Sequence, residues 1–364
     1  MRIVKQKCFD NFRCIADKCP DTCCQGWQIV LDEDAKKRFL NYEGELKDEL
    51  LNAVDFEENL FRYDERGTCP LLNENGLCKL VIKEGEEFIS EICHMYPRHV
   101  EEYDGVREWS LSISCPVAAR MIIENMGISE YVVIDDDEED PLYEDFEDFD
   151  TLLYTKLEDS RDVIFNILNN RELSIYVRIR MILDFTKELD DALMEDCIFD
   201  MDDIIDKYAA LYDKYDKDAI NSIKCELYDE IKKNSSLLFR LERLRPDWEE
   251  VLTNMVSFED ELNKNSRDLS SLLTQDHEII LEQLLHSYIY TYYLGAVYDD
   301  MIYAKCAMSV YSVLMMDYLY LCENGNENFD IEKYINVVYR FARETEHSDI
   351  NLNMLEEECE KMFI

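Results

Sequence analysis

The stretch LEQLLHSYIYTYY, residues 281–293, decides the fold class of this chain. Its apolar and aromatic residues recur every three or four positions, which places them on one face of an α-helix. The stretch IEKYINVV at 331–338 repeats the pattern behind Asp330, a residue type that caps helix N-termini. The spacing therefore predicts a mainly α protein. The residues of the first face are Leu281, Leu284, Leu285, Tyr288, Ile289, Tyr292 and Tyr293.

The same period extends outward over the rest of the C-terminal half. With only 9 Gly and 6 Pro, the chain is poor in turns, which favours long helices over a many-stranded fold. Short strands are expected only near WQIVL (27–31) and REWSLSIS (107–114). The aromatic stripes suit either a cofactor pocket or core packing, and core packing is preferred. Helices are predicted at about 155–195, 202–233, 237–262, 276–298, 301–322 and 330–345, forming an α-helical bundle.

An acidic run, DDDEEDPLYEDFEDFD at 135–150, interrupts the pattern. Such a run is typical of a solvated linker, with a docking strip for a basic partner as the alternative. We therefore predict a cysteine-rich metal-binding domain with short strands at 1–130, an acidic linker at 131–150 and the α-helical domain at 151–364.

The charge balance restricts the possible partners. The chain has 38 basic and 82 acidic residues, a net charge of −44. A polyanion repels phosphate backbones and anionic lipid, so neither nucleic acid nor a membrane surface is an expected partner. The N-terminus lacks the apolar segment of a secretory signal, and the apolar stretch 308–321 is short and contains Asp317. These features predict a cytoplasmic protein.

The cysteines require an explanation, because disulfides do not persist in a reducing compartment. Nine of the 14 lie between positions 8 and 115, and the other five are scattered through helical sequence as buried apolar residues. Close spacing in CIADKCPDTCCQGW (14–27), followed by single cysteines from distant segments, is how a folded domain builds a thiolate metal site. The alternative, reduced cysteines filling a core, fits poorly with the adjacent pair Cys23 and Cys24. Thiolate sites suit iron–sulfur clusters and zinc alike, and one or two centres are possible.

Local signals place several of these cysteines. Asn75-Gly76 predicts a tight turn with Cys69 and Cys78 on neighbouring arms. A helix over 86–96, stopped by Pro97, would carry Cys93 in its last turn. Pro116 and Gly127 bracket a helix at about 116–126, with Cys115 at its cap, where the helix dipole favours a thiolate.

Most common enzyme motifs are missing from the sequence. It contains no GxG turn of a nucleotide-binding fold, no phosphate loop, no GxSxG and no HExxH. The CxxxCxxC spacing of radical S-adenosylmethionine enzymes is also missing, because Gly26 stands where its third cysteine would be. The five histidines are too dispersed for a histidine metal site.

Several motifs together resemble the flagellin lysine-N-methylase family: CIADKCPDTCCQGW, GLC (76–78), ICHMYPRH (92–99), SLSISCPVAAR (110–120) and ARETEHSDINL (342–352). The resemblance is strong over 1–130 and looser over 150–190 and 280–355. It implies methyl transfer from S-adenosylmethionine to lysines of flagellin, or of another lysine-bearing protein, with a [4Fe–4S] cluster taking part. The metal ligands that it implies are Cys14, Cys19, Cys23, Cys24, Cys69, Cys78, Cys93 and Cys115.

Lysine methylation also needs a group that removes a proton from the ammonium. Candidate catalytic residues are Tyr96, Glu346 and His347, and Arg98 is a candidate partner for the carboxylate of S-adenosylmethionine. Each also has an ordinary structural interpretation, as a core hydroxyl, a helix-end cation or an ion pair. The competing hypothesis for the whole chain is a non-enzymatic zinc- or iron-binding module whose helical domain docks a partner. A redox sensor is a third alternative. The enzyme, unlike the module, requires a cavity beside the metal that opens to solvent.

Overall fold

The structure, a computed structural model, describes residues 1–135, 146, 148–210, 220–265, 275–325 and 327–364. It confirms a mainly α protein whose N-terminal part carries short strands. The helices of the C-terminal part are α6 (Thr151–Asn169), α7 (Ile175–Met194), α8 (Asp200–Ala209), α9 (Ile220–Lys233), α10 (Trp248–Asn265), α11 (Gln275–Tyr292), α12 (Ile302–Asn324), α13 (Ile331–Glu346) and α14 (Asp349–Cys359).

Three differences from the predicted helices have local causes. The helix expected at 155–195 is two helices, and Arg171 in the break donates to the carbonyls of Met126 and Gly127. The helix expected at 237–262 begins only after Pro246, behind a short 3₁₀ turn at Ser235–Phe239. Helix α14 was not predicted, although Ser348 caps it by accepting from the Asn351 N–H. Part of the stretch 202–233 lies outside the described residues.

The N-terminal part combines short helices with two small sheets. Its larger sheet has the order β4-β5-β1-β6, in which β1 and β5 are parallel and the other neighbours antiparallel. Strand β5 confirms the strand expected near 107–114, whereas WQIVL contributes only a bridge between Val30 and Leu60. The elements are β1 (Arg2–Gln6), α1 (Glu33–Leu40), α2 (Lys47–Ala53), β2 (Val54–Asp55), β3 (Leu60–Phe61), α3 (Lys79–Glu84), α4 (Glu91–Met95), β4 (Arg98–Tyr103), β5 (Val106–Leu111), α5 (Pro116–Ile123) and β6 (Tyr131–Asp135).

Residues 131–135, which the prediction assigns to the linker, form strand β6 and pair with β1. Most of the remaining acidic run, 136–145 and 147, lies outside the described residues. One hydrophobic core joins the sheet to the helices: Val4, Tyr103 and Ile122 pack in the same cluster as α7 and α11. A smaller core beneath α1 and α2 is built around Phe39, Leu50 and Leu71. The domain boundaries themselves remain a prediction.

Helix α12 lies at the centre of the helical part, where it packs against α7, α11 and α14. No helix in the described ranges has both the length and the apolar composition needed to cross a bilayer.

Candidate active site

A cavity of about 600 Å³ lies where the larger sheet, α11, α13 and α14 meet Trp27, just beyond the cysteine-rich segment 13–25. All four candidate site residues, Tyr96, Arg98, Glu346 and His347, line it. Exposed residues at its edge, Tyr298, Asp299 and Asp349, show that it opens to solvent. The wall also includes Trp27, His99, Glu101, Ser112, Ser287, Tyr288, Thr291, Tyr292, Lys305 and Glu356.

Local structure explains how these residues reach one place. Tyr96 follows the short helix α4, and Arg98 begins β4 directly afterwards. Glu346 is the last residue of α13 and His347 is its C-cap. The partners in this wall lie far apart in the chain, and Ser112 and Glu346 are 234 positions apart. Only the tertiary fold brings them together.

Two serines connect the candidate residues. Ser114 Oγ lies 3.1 Å from the Tyr96 hydroxyl, 2.9 Å from His347 Nε2 and 2.5 Å from Ser112 Oγ. Ser112 in turn donates to Glu346 Oε2 over 2.7 Å. The sequence reasoning missed both serines, although they stand in SLSISC directly before the predicted ligand Cys115.

An aromatic cluster lies over this network. The Trp27 ring centroid is 4.7 Å from that of His347 and 5.6 Å from that of Tyr96. The Trp27 indole donates to the Cys23 carbonyl over 2.7 Å. Trp27, also missed as a site residue, thus joins the cysteine-rich segment to the cavity wall. Its place in the CCQGW motif was the available signal.

Burial separates the acid–base properties of the candidate residues. Burial raises the pKa of Glu346 to about 7, against hydrogen bonding that lowers it. Burial, together with Arg343 and Arg245, lowers the pKa of His347 to about 3. Burial also raises the pKa of the Tyr96 hydroxyl. Near neutral pH, Glu346 is therefore the one of the three whose protonation changes most readily.

Acidic side chains outnumber basic ones in the cavity wall. Among the described residues, two cations, Arg98 and Lys305, face five carboxylates there. Lys305 is held by Asp299 at 2.7 Å and by Glu356. Arg98 stacks on the Phe12 ring at 5.3 Å, and no described carboxylate pairs with it. The carboxylates are Glu101, Asp299, Glu346, Asp349 and Glu356.

The predicted metal ligands occupy a neighbouring region. Charge interactions link Cys69 with Cys23, Cys78 and Cys93, and link Cys19 with Cys14 and Cys23. Cys115 is linked to Cys19 in the same way, and the free thiols of Cys23 and Cys24 share a hydrogen bond. Each of the eight thiols therefore lies near at least one of the others, and together the eight form the cysteine neighbourhood. In the described part of the chain, however, no three Cys, His, Asp or Glu side chains converge closely enough to hold a metal ion as they stand.

The local predictions for these cysteines have mixed outcomes. Leu72 pairs with Cys78 across the predicted turn at Asn75-Gly76, which confirms the hairpin. Cys69 lies three residues before Leu72, outside the paired arm. Helix α4 is shorter than expected but contains Cys93, and Cys115 caps α5 as predicted. Burial raises the pKa of the Cys115 thiol to about 11, against the N–H groups of the helix N-terminus, which lower it. The thiolate expected at Cys115 stays a prediction.

Arginines attach the cysteine-rich segment to the helices. Arg343, 2% exposed, contacts Asp21 at 2.6 Å and donates to the carbonyls of Thr22 and Ser114. Arg245 pairs with the same Asp21 at 3.0 Å. Helix α13 thus holds the cysteine segment through Arg343 and lines the cavity one turn later through Glu346.

Comparison with known proteins gives the chain its family. Residues 161–363, more than half of the chain, match the family model described as the FliB lysine N-methylase C-terminal domain. No solved structure matches the chain.

Individual relatives agree with this match. The chain is 29% identical over 139 residues to proteins named Lysine-N-methylase from Salmonella choleraesuis (strain SC-B67) and Salmonella typhimurium (strain LT2). Each of these alignments covers 34% of this chain and 34% of the relative. This chain is also 28% identical over 123 residues to the flagellar biosynthetic protein FliU of Salmonella muenchen. That alignment covers 32% of this chain and 73% of that protein. The chain thus aligns with about a third of the length of the curated lysine-N-methylases. The family model, with the resemblance in the cysteine motifs, shows that this chain belongs to the FliB lysine N-methylase family.

Proposed function

We propose that this chain is a protein-lysine N-methyltransferase that uses S-adenosylmethionine and acts in the cytoplasm. The observation that carries the proposal is the open, acidic cavity in which Glu346, Tyr96, His347 and Arg98 meet. The names of the relatives favour flagellin as the acceptor, and another lysine-bearing protein is the broader possibility. The chain's charge of −44 would attract such a basic side chain.

The wall of the cavity suits a lysine ammonium. Carboxylates attract the cation electrostatically, and the rings of Trp27, Tyr96 and Tyr292 offer faces for cation–π contact. The same features suit the sulfonium of S-adenosylmethionine. Arg98, stacked on Phe12 without a carboxylate partner among the described residues, is the group we assign to the cofactor's carboxylate.

Glu346 is the best placed base. An ammonium must lose a proton before its nitrogen can attack a methyl group, and a base is most effective when its pKa lies near the working pH. Glu346, with a pKa raised by burial to about 7, meets that condition. His347, with a pKa of about 3, is too weak a base for the same task.

The cysteine neighbourhood suits a thiolate-bound [4Fe–4S] cluster, with zinc as the alternative. The candidate ligands are the eight cysteines between Cys14 and Cys115, and their segments would have to close around the metal, since no three of them converge as they stand. When bound, such a cluster would supply an iron site able to bind the amino and carboxylate groups of S-adenosylmethionine, and Arg98 would pair with the same carboxylate. Trp27 and Arg343 would position the cavity against that centre.

The open cavity also favours the enzyme over the non-enzymatic metal-binding module. A purely structural metal site needs no adjoining pocket, whereas a transferase must admit a lysine beside the cofactor. The cavity adjoins the cysteine segment through Trp27 and reaches solvent at Asp349.

The test is a methyl-transfer assay on protein purified without oxygen. Iron, sulfide and zinc per chain would be measured first, and labelled S-adenosylmethionine then offered with flagellin. The proposal expects label on flagellin lysines and at least a 100-fold lower rate for Glu346→Gln at pH 7, about the contribution of a general base. Glu332→Gln, on the exposed face of α13, is the matched control and should retain the full rate. A metal-loaded protein that neither binds S-adenosylmethionine nor transfers label would contradict the proposal.

A further inference from the structure

The two serines beside Glu346 permit only one arrangement of hydrogen bonds while that carboxylate is ionised. An ionised carboxylate only accepts, so Ser112 must donate its single proton to Glu346 Oε2. Ser114 must then donate to Ser112, over 2.5 Å. Its own oxygen is left to accept from the Tyr96 hydroxyl and from His347 Nε2.

This arrangement uses every donor and acceptor of both serines. Ser112 Oγ donates once and accepts twice, because the Ser114 backbone N–H also reaches it over 3.3 Å. Ser114 Oγ donates once and accepts twice as well. Ser114 is 0% exposed, so water cannot supply an alternative partner. The chain of bonds therefore points in one direction, from Tyr96 and His347 towards Glu346.

We propose that Ser112 and Ser114 are positioning residues that hold Glu346 as the proton acceptor for the bound lysine, and that His347 is a neutral donor to this chain and not a base. The inference rests on the proposed methyl transfer and deepens it.

The proton step balances at Glu346. The lysine N–H bond breaks and an O–H bond forms at Oε1 of the carboxylate, the oxygen to which Ser112 does not donate. The amine lone pair then forms the new N–CH₃ bond as the S–CH₃ bond of the sulfonium breaks, and that electron pair stays on sulfur. The carboxyl proton leaves to water at the mouth of the cavity. Protonation of Oε1 leaves the Ser112 bond to Oε2 in place.

The assignment of His347 follows from the same bonds. Its Nε2 must carry the proton to donate to Ser114, and its ring packs against Trp27 at a tilt of 33°. Burial and two nearby arginines keep it neutral. Its role is to complete the acceptor sites of Ser114 and to support the wall.

Other titratable groups face Glu346 and must be controlled. His99 and Glu101 on β4 approach it, with His99 Nε2 2.6 Å from Glu101 Oε1. Burial opposes the charged form of His99, but Glu101 and Glu346 raise its pKa overall. Tyr288 and Tyr292 face it from α11, and their pKa values are raised by burial and by Glu346.

The decisive experiment compares pH profiles of kcat/KM for Ser112→Ala, His347→Gln and His347→Phe, with His99→Gln as the control for the neighbouring histidine. Loss of the Ser112 hydrogen bond should move the acid limb up by about one pH unit, a roughly tenfold loss at pH 6 that disappears at high pH. His347→Phe should shift the acid limb like Ser112→Ala, and His347→Gln, which keeps an N–H donor, should shift it less than His347→Phe does.

A second readout does not depend on turnover. The carboxyl infrared band of Glu346, identified by its absence in Glu346→Gln, should titrate about one unit higher in Ser112→Ala than in the parent chain. A uniform loss of rate at all pH values, or an unmoved band, would overturn the positioning role. Loss of all activity in His347→Gln would make His347 the base instead. If the parent chain transfers no methyl group, the proposed function fails, while the infrared titration still decides the hydrogen-bond chain.

Discussion

Helix α12 and the cysteine-rich segment 13–25 are opposite extremes of burial in the same chain. Every residue of α12 is buried apart from two near its end, Cys322 and Glu323. In the segment, by contrast, most side chains from 13 to 20 are exposed, and Gly26 just beyond it lies against Arg245, in the stretch that precedes α10. The helical part is held by hydrophobic burial, which needs no partner. The segment lacks enough apolar surface for that.

What holds the segment is a small set of specific attachments. Asp21 pairs with Arg343 and Arg245, and Trp27 packs on His347. A metal bound by its thiols would add to these, because metal binding to such a segment contributes directly to its folding free energy. The helical side of the site is therefore held by a large hydrophobic core. The cysteine-rich side depends on a few contacts, each of which a single substitution can remove.

Hydrogen exchange should show the largest contrast. Amides of α11 and α12 should exchange only through global unfolding, whereas those of 13–25 should exchange by local opening, orders of magnitude faster. Reconstitution with iron and sulfide should slow exchange in 13–25 and leave α12 unchanged. The measurement is exchange followed by mass spectrometry, with and without metal. Equal protection of both regions in the metal-free chain would contradict the comparison.

Removal of the buried arginine should have the next largest effect. Arg343→Met leaves two carbonyls without their donor and Asp21 with Arg245 alone, and should lower the free energy of unfolding by about 3–5 kcal/mol. Arg240→Met is the matched control, because Arg240 makes a 2.8 Å pair with Glu358 at the surface and should cost about 0–1 kcal/mol. Urea unfolding measures both. Similar losses for the two variants would show that the attachment at Asp21 contributes little.

Much of the fold was predictable because it depends on local periodicity. The face beginning at Leu281 became α11, and Asp330 caps α13 by accepting from Glu332 and Lys333. Pro116 and Cys115 open α5 as the sequence indicates. Strands β1, β4 and β6 were missed because a strand of five or six residues has little pattern of its own. The pairing that defines β1 and β6 also joins residues far apart in the chain.

The sequence predicted several residues of the site but not the contacts between their side chains. Tyr96, Glu346 and His347 were chosen as types suited to proton transfer, and the fold places all three in one wall. Ser112, Ser114 and Trp27 were missed because a serine or a tryptophan gains a role only from its neighbours in space. Their roles, like the metal ligands, remain proposals for the experiments above.

Glu344, on the helical side of the contact with the cysteine segment, should make stability depend on pH. It is 1% exposed, and burial raises its pKa from the usual 4.5 to about 7. The folded state then holds a proton that the unfolded state has lost, so the free energy of unfolding falls as the pH rises from about 4.5 to 7. Glu344→Gln should gain about 1–3 kcal/mol at pH 8 and little at pH 5, by urea unfolding. The exposed Glu332→Gln should show neither change, and a gain at pH 5 as large as at pH 8 would contradict the assignment.

Gly26, in the CCQGW motif, gives the smallest and most local test of how the segment is attached. Its φ of +89° disfavours any side chain, and a Cβ there would lie 2.8 Å from Arg245 Cγ, the arginine that pairs with Asp21. Gly76 has a similar φ of +75° but nothing within 4 Å, so Gly76→Ala should cost only the backbone strain, about 1 kcal/mol. Gly26→Ala should cost about 2 kcal/mol, since Arg245 must also shift. If urea unfolding gives the two variants the same loss, the close approach of Arg245 contributes nothing, and Arg343 and Trp27 alone hold the segment. A larger loss for Gly26→Ala, with faster exchange confined to 13–25, would instead show that the attachment is shared between both arginines.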